Sequence, residues 1–257
     1  MSQEGPSIER MQAITISREY GSGGGEIAAR LASRLGWQLI DHEVVVQVAR
    51  ELGISEAEAE ERDEYAEGLI SRLLANMQLY EPAVLVAVPV SLVPTMLGAD
   101  ADVYAEALRF VVQAAVSAGQ VVIVGRGGQA ILHDRRDVLH VRVVAPPNLR
   151  LAYVMQRERI DQDAARSRIE MKDRDRHRYL QSVHHCHPED PHLYDLVVNT
   201  QVLDLDSVVD LICLALECKA KRLSVAPSML GPSAGLTPYS GQPSGVKSPE
   251  SIVEPSK

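Results

Sequence analysis

Lysine is scarce in this chain. Five of its 257 residues are lysines, and the first of them is Lys172. Any side chain before that residue that binds an anion as a permanent cation is therefore an arginine. Arginine contacts oxyanions as a planar fork with two parallel hydrogen bonds, whereas lysine acts as a point charge. An anion site built from this part of the chain must use guanidinium groups.

Aromatic residues, cysteines and long apolar runs are also scarce. Aromatics make up 4% of the chain, so we expect an aliphatic core. The cysteines have no metal or disulfide spacing and are expected to be reduced thiols: Cys186, Cys213 and Cys218. No apolar run reaches the roughly 18 residues of a membrane span, and residues 1–10 lack the apolar stretch of a signal peptide. The net charge of −9 argues against nucleic-acid and membrane partners, so we predict a cytoplasmic protein.

Apolar strand-like runs alternate with helix-like segments along most of the chain. The predicted strands are 12–17, 37–40, 120–124, 138–145 and 195–199. The predicted helices are 24–35, 42–52, one from residue 55, 102–118, 148–159, 161–179 and 205–222. This alternation predicts an α/β fold with a parallel sheet covered on both faces. We expect a flexible arm at 1–10, one domain at 11–223, and a disordered tail at 224–257, which is rich in Pro, Gly and Ser.

A glycine-rich loop follows the first predicted strand and opens a helix. The loop residues expected to bind phosphate are Gly21, Ser22, Gly23, Gly24, Gly25 and Glu26. Backbone amides converge on phosphate oxygens only where side chains are absent, and the positive end of the following helix adds to the attraction. The pattern therefore predicts a phosphate-binding loop.

The loop departs from the usual motif G-x-x-x-x-G-K-[ST]. With Gly23 as the second glycine of the motif, Arg18 stands at the first glycine and Gly24 at the lysine. Glu26 lies two positions beyond the lysine position. A tight strand–helix turn in which Glu26 caps the helix is the structural alternative to phosphate binding.

A dinucleotide-binding turn is a second interpretation of the same loop. Residues 23–28 also fit G-x-G-x-x-A, and Asp41 ends the next strand at about the distance of a ribose-binding acid. However, residues 17–20 separate the strand from Gly21, whereas a dinucleotide turn starts directly after its strand. We therefore rank this alternative second.

Two further sets of arginines are placed to contact phosphate. Arg126, flanked by glycines, follows the third predicted strand, and ligands bind at the carboxyl ends of the strands in such sheets. Residues 166–178 contain six cations in thirteen positions, which favours a mobile lid over a purely solvated helix. Arg174 and Arg178 are four residues apart, on one face of that helix. The run 184–187, His-His-Cys-His, is expected to be a polar loop after the lid rather than a zinc site.

Several of these segments together resemble the cytidylate kinase-like proteins, which are relatives of nucleoside monophosphate kinases. The similar segments are ISREYGSGGGEI (16–27), LGWQLID (35–41), VGRGG (124–128), DRHRYL (175–180) and DPHLYDLVVNT (190–200). The resemblance covers about residues 11–220. It implies a three-layer P-loop kinase fold with a central parallel sheet and a helical lid at about 160–190.

The resemblance also implies a reaction and its site. ATP would be the phosphoryl donor, Mg²⁺ the bridging ion, and a nucleoside monophosphate such as CMP the small-molecule acceptor. The glycine loop would hold the donor phosphates, and Asp41 and Arg126 would face the acceptor. Arg174 and Arg178 would act from the lid, and Arg157, on the preceding helix, would reach phosphate.

The departures from the family pattern leave three functions open. Without the lysine, either Arg18 or a lid arginine replaces it, or transfer is slow or absent. In the absence of the hydroxyl that binds Mg²⁺, Glu26 either holds the metal or repels the nucleotide. We therefore expect a nucleotide kinase, with a non-catalytic nucleotide-binding regulatory module as the alternative and an NAD-dependent oxidoreductase as the third hypothesis. The sequence identifies neither the acceptor nor the oligomeric state.

Overall fold

The computed structural model describes residues 8–41 and 101–231 of the chain, which forms two compact units, 1–221 and 222–257. The helices predicted at 42–52 and from residue 55 lie outside the described residues. Most of the predicted disordered tail also lies outside them. In the second unit, the described residues contain a 3₁₀ turn at Pro227–Met229. Another such turn, Ile8–Arg10, precedes the first strand.

The described part of the first unit contains a parallel sheet. Its strands are β1 (Ala13–Arg18), β2 (Gln38–Ile40), β3 (Val121–Val124), β4 (Val138–Val144) and β5 (Leu196–Asn199). Every neighbouring pair is parallel, in the order β2-β3-β1-β4-β5. The predicted α/β class with a central parallel sheet is confirmed.

Six helices lie in the described residues: α1 (Gly24–Leu35), α2 (Ala101–Ala118), α3 (Gly128–Ile131), α4 (Pro147–Glu158), α5 (Gln162–His184) and α6 (Leu205–Ala220). Their ends follow local capping chemistry. Asp161 accepts a hydrogen bond from the backbone of Ala164 at the start of α5, and Asp204 accepts one from Ser207 at the start of α6. Gly36 ends α1 in the left-handed conformation, at φ 67°.

Two of the sequence expectations need adjustment. Helix α5 was expected to end at Tyr179 but continues to His184, because Leu180 is 5% exposed and anchors the additional turn in the core. His184 is therefore helical, and the expected polar loop begins at His185, where φ is 53°. The short helix α3, directly after the Gly125–Gly127 turn, was not predicted because four residues give no helical periodicity.

The two faces of the sheet differ in polarity. On one face, Ile14 and Ile16 of β1 are fully buried on the side where α1 and α6 pack. On the other face, Ala13 belongs to an apolar cluster with α2 and β3, but Thr15 and Ser17 follow it along the strand. This second face therefore becomes polar towards the carboxyl end of β1.

The sheet order also bears on the dinucleotide hypothesis. In the common dinucleotide-binding sheet, the second strand lies beside the first and brings its terminal acid to the ribose. Here β3 lies between β1 and β2, so Asp41 is one strand further from the glycine loop than that hypothesis requires. Within the described ranges, no helix is both long and apolar enough to cross a bilayer.

Candidate active site

The glycine loop connects the carboxyl end of β1 to the start of α1. Gly21 and Gly23 have φ angles of 83° and 84°, a conformation that glycine adopts without strain. A Cβ atom at Gly21 would lie 2.9 Å from the carbonyl oxygen of Arg150, and one at Gly23 would lie 2.9 Å from a methyl carbon of Leu205. Both positions therefore require glycine for conformation and for space.

Hydrogen bonds to neighbouring elements fix the loop. The Ser22 hydroxyl donates to the carbonyl oxygens of Glu19, at 2.9 Å, and Val143, at 3.2 Å. The Ser22 carbonyl accepts from the hydroxyl of Thr200, at 3.1 Å. The Ser22 side chain thus holds the loop in shape, and any contact of this residue with phosphate would have to come from other atoms.

The start of α1 presents backbone amides to the site. In the part of the chain that the structure describes, no side chain caps this helix end, so its first amides keep the donor capacity and positive potential that attract anions. Glu26, in the first turn, lies 3.5 Å from Arg30 and 3.4 Å from Arg157. Arg157 thus lies near the loop, where it forms an ion pair with Glu26. This ion pair neutralises part of the charge of Arg157.

Three arginines from three elements converge beside this loop. Arg18 ends β1, Arg126 follows β3, and Arg176 comes from α5. Burial lowers the pKa of Arg18 to about 9, and repulsion by Arg176 and Arg126 adds to the decrease. Asp41 and Asp173 act in the opposite direction. The carboxyl end of β1 is therefore a site of mutually repelling cations, which an anion would stabilise.

Arg18 fills the space around two glycines. A Cβ atom at Gly24 would lie 2.6 Å from Cβ and 3.0 Å from Cγ of Arg18, and one at Gly125 would overlap its Nη1 atom. No side chain, lysine included, fits at position 24 while Arg18 keeps this conformation. Gly25 differs, since a Cβ atom there meets nothing within 4 Å. The cation at position 18 and the glycine at position 24 are sterically linked.

Helix α5 is attached directly to the glycine loop. Asp173 accepts a hydrogen bond from the backbone of Tyr20, at 2.8 Å, and forms an ion pair with the buried Arg150. The Tyr20 hydroxyl donates to Glu158 at 2.5 Å, and burial together with this bond raises its pKa to about 12. Arg176 lies over the Tyr20 ring, 5.4 Å from its centroid. The expected lid helix is thus held close to the loop.

The arginine of this helix that contacts the loop is Arg176, whereas the sequence analysis singled out Arg174 and Arg178. Arg174 and Arg178 are exposed, and their roles stay predictions. Arg176, which we did not single out, lies 3.5 Å from the Arg18 carbonyl oxygen and 3.2 Å from Asp173. The signal for it was available, because Asp173, Arg176 and the apolar Leu180 recur at helical spacing. Arg174 and Arg178 lie off that face.

Arg126 sits in a strained turn. It has φ 59°, between Gly125 at 77° and Gly127 at 67°, so three successive residues are left-handed. Non-glycine residues adopt this conformation at a cost, and such positions are concentrated at functional sites. Arg126 and Asp41 both interact electrostatically with Arg18, at the carboxyl ends of β3, β2 and β1.

The donors beside the loop are backbone amides and guanidinium groups, which suit a phosphate group. Across the described ranges, no cluster of three His, Cys, Asp or Glu side chains is arranged to hold a metal. Mg²⁺ does not require such a cluster, since it binds through one or two carboxylates together with substrate phosphates and water. Asp41, beside Arg18, and Glu26 are the carboxylates near the loop that fit this role.

The chain is similar to one sequence family and to several solved structures. The sequence model of the cytidylate kinase-like family matches residues 13–202. Among solved structures, an uncharacterized protein from Eubacterium ventriosum has a TM-score of 0.56 and 21% identity, with 80% of this chain and 98% of that chain covered. The shikimate kinase from Acinetobacter baumannii has a TM-score of 0.39 and 16% identity, with 80% and 93% covered.

One curated protein is similar over a shorter segment. The uronate isomerase of Corynebacterium glutamicum is 33% identical over 98 residues, which is 38% of this chain and 19% of that protein. The chain thus matches about a fifth of the length of that relative. The family match, by contrast, covers most of the chain, including the glycine loop, the turn around Arg126 and helix α5. The chain has the three-layer P-loop kinase fold and belongs to the cytidylate kinase-like family.

Proposed function

We propose that this protein transfers the γ-phosphoryl group of ATP to a small acceptor, with a nucleoside monophosphate as the first choice. Family membership supports phosphoryl transfer in general. The observation that carries the proposal is the convergence of Arg18, Arg126 and Arg176 beside the glycine loop. Phosphoryl transfer depends mainly on positioning and on neutralising charge, and clustered arginines supply both.

In this proposal Arg18 takes the place of the missing lysine. The usual motif has glycine at the position of Arg18 and lysine at the position of Gly24, so this chain has the two residue types exchanged. The steric conflict between a side chain at 24 and Arg18 explains why both changes occur together. The loop amides would bind the donor phosphates, while Arg18 and Arg176 neutralise the transferring group.

Mg²⁺, when bound, would offset the negative charge that develops on the transferring phosphate. Asp41 and Glu26 are the residues that would hold it, directly or through water. Glu26 is already neutralised in part by Arg30 and Arg157, which weakens its repulsion of the nucleotide. Asp41 and Arg126 would orient the acceptor at the carboxyl ends of β2 and β3.

A non-catalytic nucleotide-binding module remains the second candidate. The observation that favours it is the first turn of α1, where Glu26 is the acidic residue and no lysine or hydroxyl stands at positions 24 and 25. In such a module, Arg18 and Arg176 would hold a nucleotide without transferring its phosphate.

The deciding experiment measures ADP release from ATP and Mg²⁺ with a panel of nucleoside monophosphates, alongside calorimetry with ATP alone. We expect turnover with one acceptor class, a decrease of about 10²- to 10³-fold for Arg18→Ala, and no change for Arg166→Ala. Arg166→Ala is the control because Arg166 is an exposed arginine of helix α5 that is not among the three arginines beside the loop. Tight ATP binding without ADP release for any acceptor would support the regulatory module instead, and absence of ATP binding would refute both candidates.

A further inference from the structure

A second buried arginine lies on the other face of the sheet, behind the glycine loop. Arg142 of β4 pairs in register with Ser17 of β1, and the Tyr194 hydroxyl donates a hydrogen bond to the Ser17 hydroxyl at 3.2 Å. The Arg142 residue is 6% exposed, and its Nη1 atom donates to the Ser17 hydroxyl at 3.3 Å. Its guanidinium carbon is 5.7 Å from the centroid of the Tyr194 ring. We call these three residues the Arg142 cluster.

The positive charge of Arg142 has no carboxylate partner among the residues described. A comparison within the same chain makes this unusual. Arg150 is similarly buried, at 8% exposure, but contacts two carboxylates, Glu19 at 3.5 Å and Asp173. Arg142 instead has one long hydrogen bond to a neutral hydroxyl and the face of one aromatic ring. Burial of a guanidinium charge without an anion beside it is costly.

The sequence of β4 makes a purely structural explanation unattractive. The strand reads Val-Leu-His-Val-Arg-Val-Val, and the neighbours Val141 and Val143 are fully buried. An aliphatic residue at 142 would therefore suit the buried position without any charge to compensate. The cation is better explained by something that binds it.

The Arg142 cluster adjoins the proposed site for phosphoryl transfer. Ser17 immediately precedes Arg18, and the carbonyl oxygen of Val143, next to Arg142, accepts the hydrogen bond from Ser22 in the loop. Helix α3 packs on the neighbouring part of this face, where a Cβ atom at Gly128 would lie 3.2 Å from the methyl carbon of Thr15. The cluster thus lies on the α3 side of β1, whereas Arg18 lies on the side of α1.

We propose that Arg142, with Ser17 and Tyr194, binds an oxyanion of the acceptor, either a phosphate monoester or a carboxylate. This subsite rests on the proposed function, because it concerns the acceptor of the same transfer. The Ser17 hydroxyl and the Tyr194 ring position the guanidinium, and its remaining N–H groups are the donors for the anion. The acceptor is therefore an acid rather than a neutral alcohol.

The test compares charged and neutral ligands on variants of the full chain. Melting temperature is measured for wild type, Arg142→Met, Arg142→Lys and the control Arg166→Met. The ligands are CMP with its nucleoside cytidine, and the hydroxy acid glycerate with glycerol. We expect CMP to raise the melting temperature of the wild type more than cytidine does, or glycerate to raise it more than glycerol does. The first result would identify the oxyanion as a phosphate monoester, and the second would identify it as a carboxylate. The difference in melting temperature between the charged and the neutral ligand should disappear in Arg142→Met. It should be partly kept in Arg142→Lys and fully kept in Arg166→Met.

Two further readouts separate ligand binding from a structural role. Without ligand, Arg142→Met should melt at or above the wild-type temperature, because it removes an uncompensated buried charge. In turnover, the acceptor KM should rise about ten- to a hundredfold while the KM for ATP stays unchanged. The proposal is overturned if Arg142→Met melts well below wild type and leaves the anion effect intact, or if neither anion stabilises the wild type.

Failure of this subsite is distinguishable from failure of the proposed function. ATP binding and ADP release that do not depend on Arg142 would refute the subsite and leave phosphoryl transfer in place. Anion stabilisation that depends on Arg142, without ADP release for any acceptor, would refute the transferase and retain the subsite.

Discussion

Exchanging Arg18 and Gly24 tests whether the arginine replaces the lysine of the usual motif. The double variant Arg18→Gly, Gly24→Lys restores glycine and lysine at the spacing of that motif. The structure predicts that neither single change suffices. Arg18→Gly removes the cation, and Gly24→Lys introduces a Cβ atom 2.6 Å from the Cβ atom of Arg18. Only the double variant removes the conflict and keeps one cation.

The magnitudes follow from the contacts. Loss of one preorganised charge-stabilising group costs about 3–4 kcal/mol of transition-state stabilisation, so Arg18→Gly should lower kcat by about 10²- to 10³-fold. Gly24→Lys should cost about 1–3 kcal/mol of folding stability through overpacking. In the double variant the overpacking disappears and part of the activity returns. The two changes should therefore be non-additive by about 2 kcal/mol or more, as expected for residues in contact.

The assay is single-turnover ADP release for wild type, both single variants and the double variant, with urea unfolding of the same four proteins. Arg166→Gly controls for loss of an arginine elsewhere. If the double variant were as inactive as Arg18→Gly and its stability no better than that of Gly24→Lys, the effects would be additive. Arg18 would then not stand in for the lysine, and the exchange would be a packing feature alone.

The remaining predictions concern the lid, pH and the loop. Arg176→Ala should lower kcat/KM by about 10²-fold. Arg174→Ala, whose role is predicted from the sequence, measures the contribution of an exposed lid arginine in the same assay. Equal decreases for the two variants would contradict the idea that Arg176 acts through its contact with the loop. Burial lowers the pKa of His140 from 6.5 to about 4, so the folded protein favours the neutral ring. On the order of 3 kcal/mol of folding stability is therefore present above pH 6.5 and is lost as the pH falls towards 4. Urea unfolding at pH 7.5 and 5 should show this loss, and His140→Gln should reduce it. Gly21→Ala should destabilise by about 1–3 kcal/mol because of its φ angle and the Arg150 carbonyl. Gly25→Ala should raise the free energy of unfolding by about 0.5–1 kcal/mol, because a Cβ atom at this position meets nothing within 4 Å. Urea unfolding of both glycine variants measures these changes.

Local signals in the sequence were sufficient for most of the described fold. Apolar runs gave β1, β3 and β4 within a residue or so, and the glycine at each end gave α1, Gly24–Leu35, as observed. These elements are set by hydrophobic periodicity and by end residues, both of which lie within a few positions along the chain. The end of α5 was missed because its last turn is held by burial of Leu180, a tertiary contact.

The site was predictable only where it depends on strand ends. Arg18, Asp41 and Arg126 follow three strands that lie side by side, so their proximity follows from the sheet. The position of Arg176 depends on how α5 rotates about its axis, and the long helix has cations on several faces. Arg142 was overlooked although it interrupts a run of valines, because a charge in an apolar strand is informative only once its neighbours are known.

Asp173 stabilises the position of the lid helix beside the arginines of the loop. Arg18 and Arg176 repel each other, and burial of both increases the cost. Asp173 offsets part of this repulsion, since it contacts Arg176 at 3.2 Å and accepts from the Tyr20 backbone at 2.8 Å. Its single negative charge also serves Arg150, so it cannot neutralise the whole cluster. Under the proposed function, a nucleotide phosphate chain would supply further negative charge at the same place, so nucleotide binding would stabilise the position of α5 against the loop.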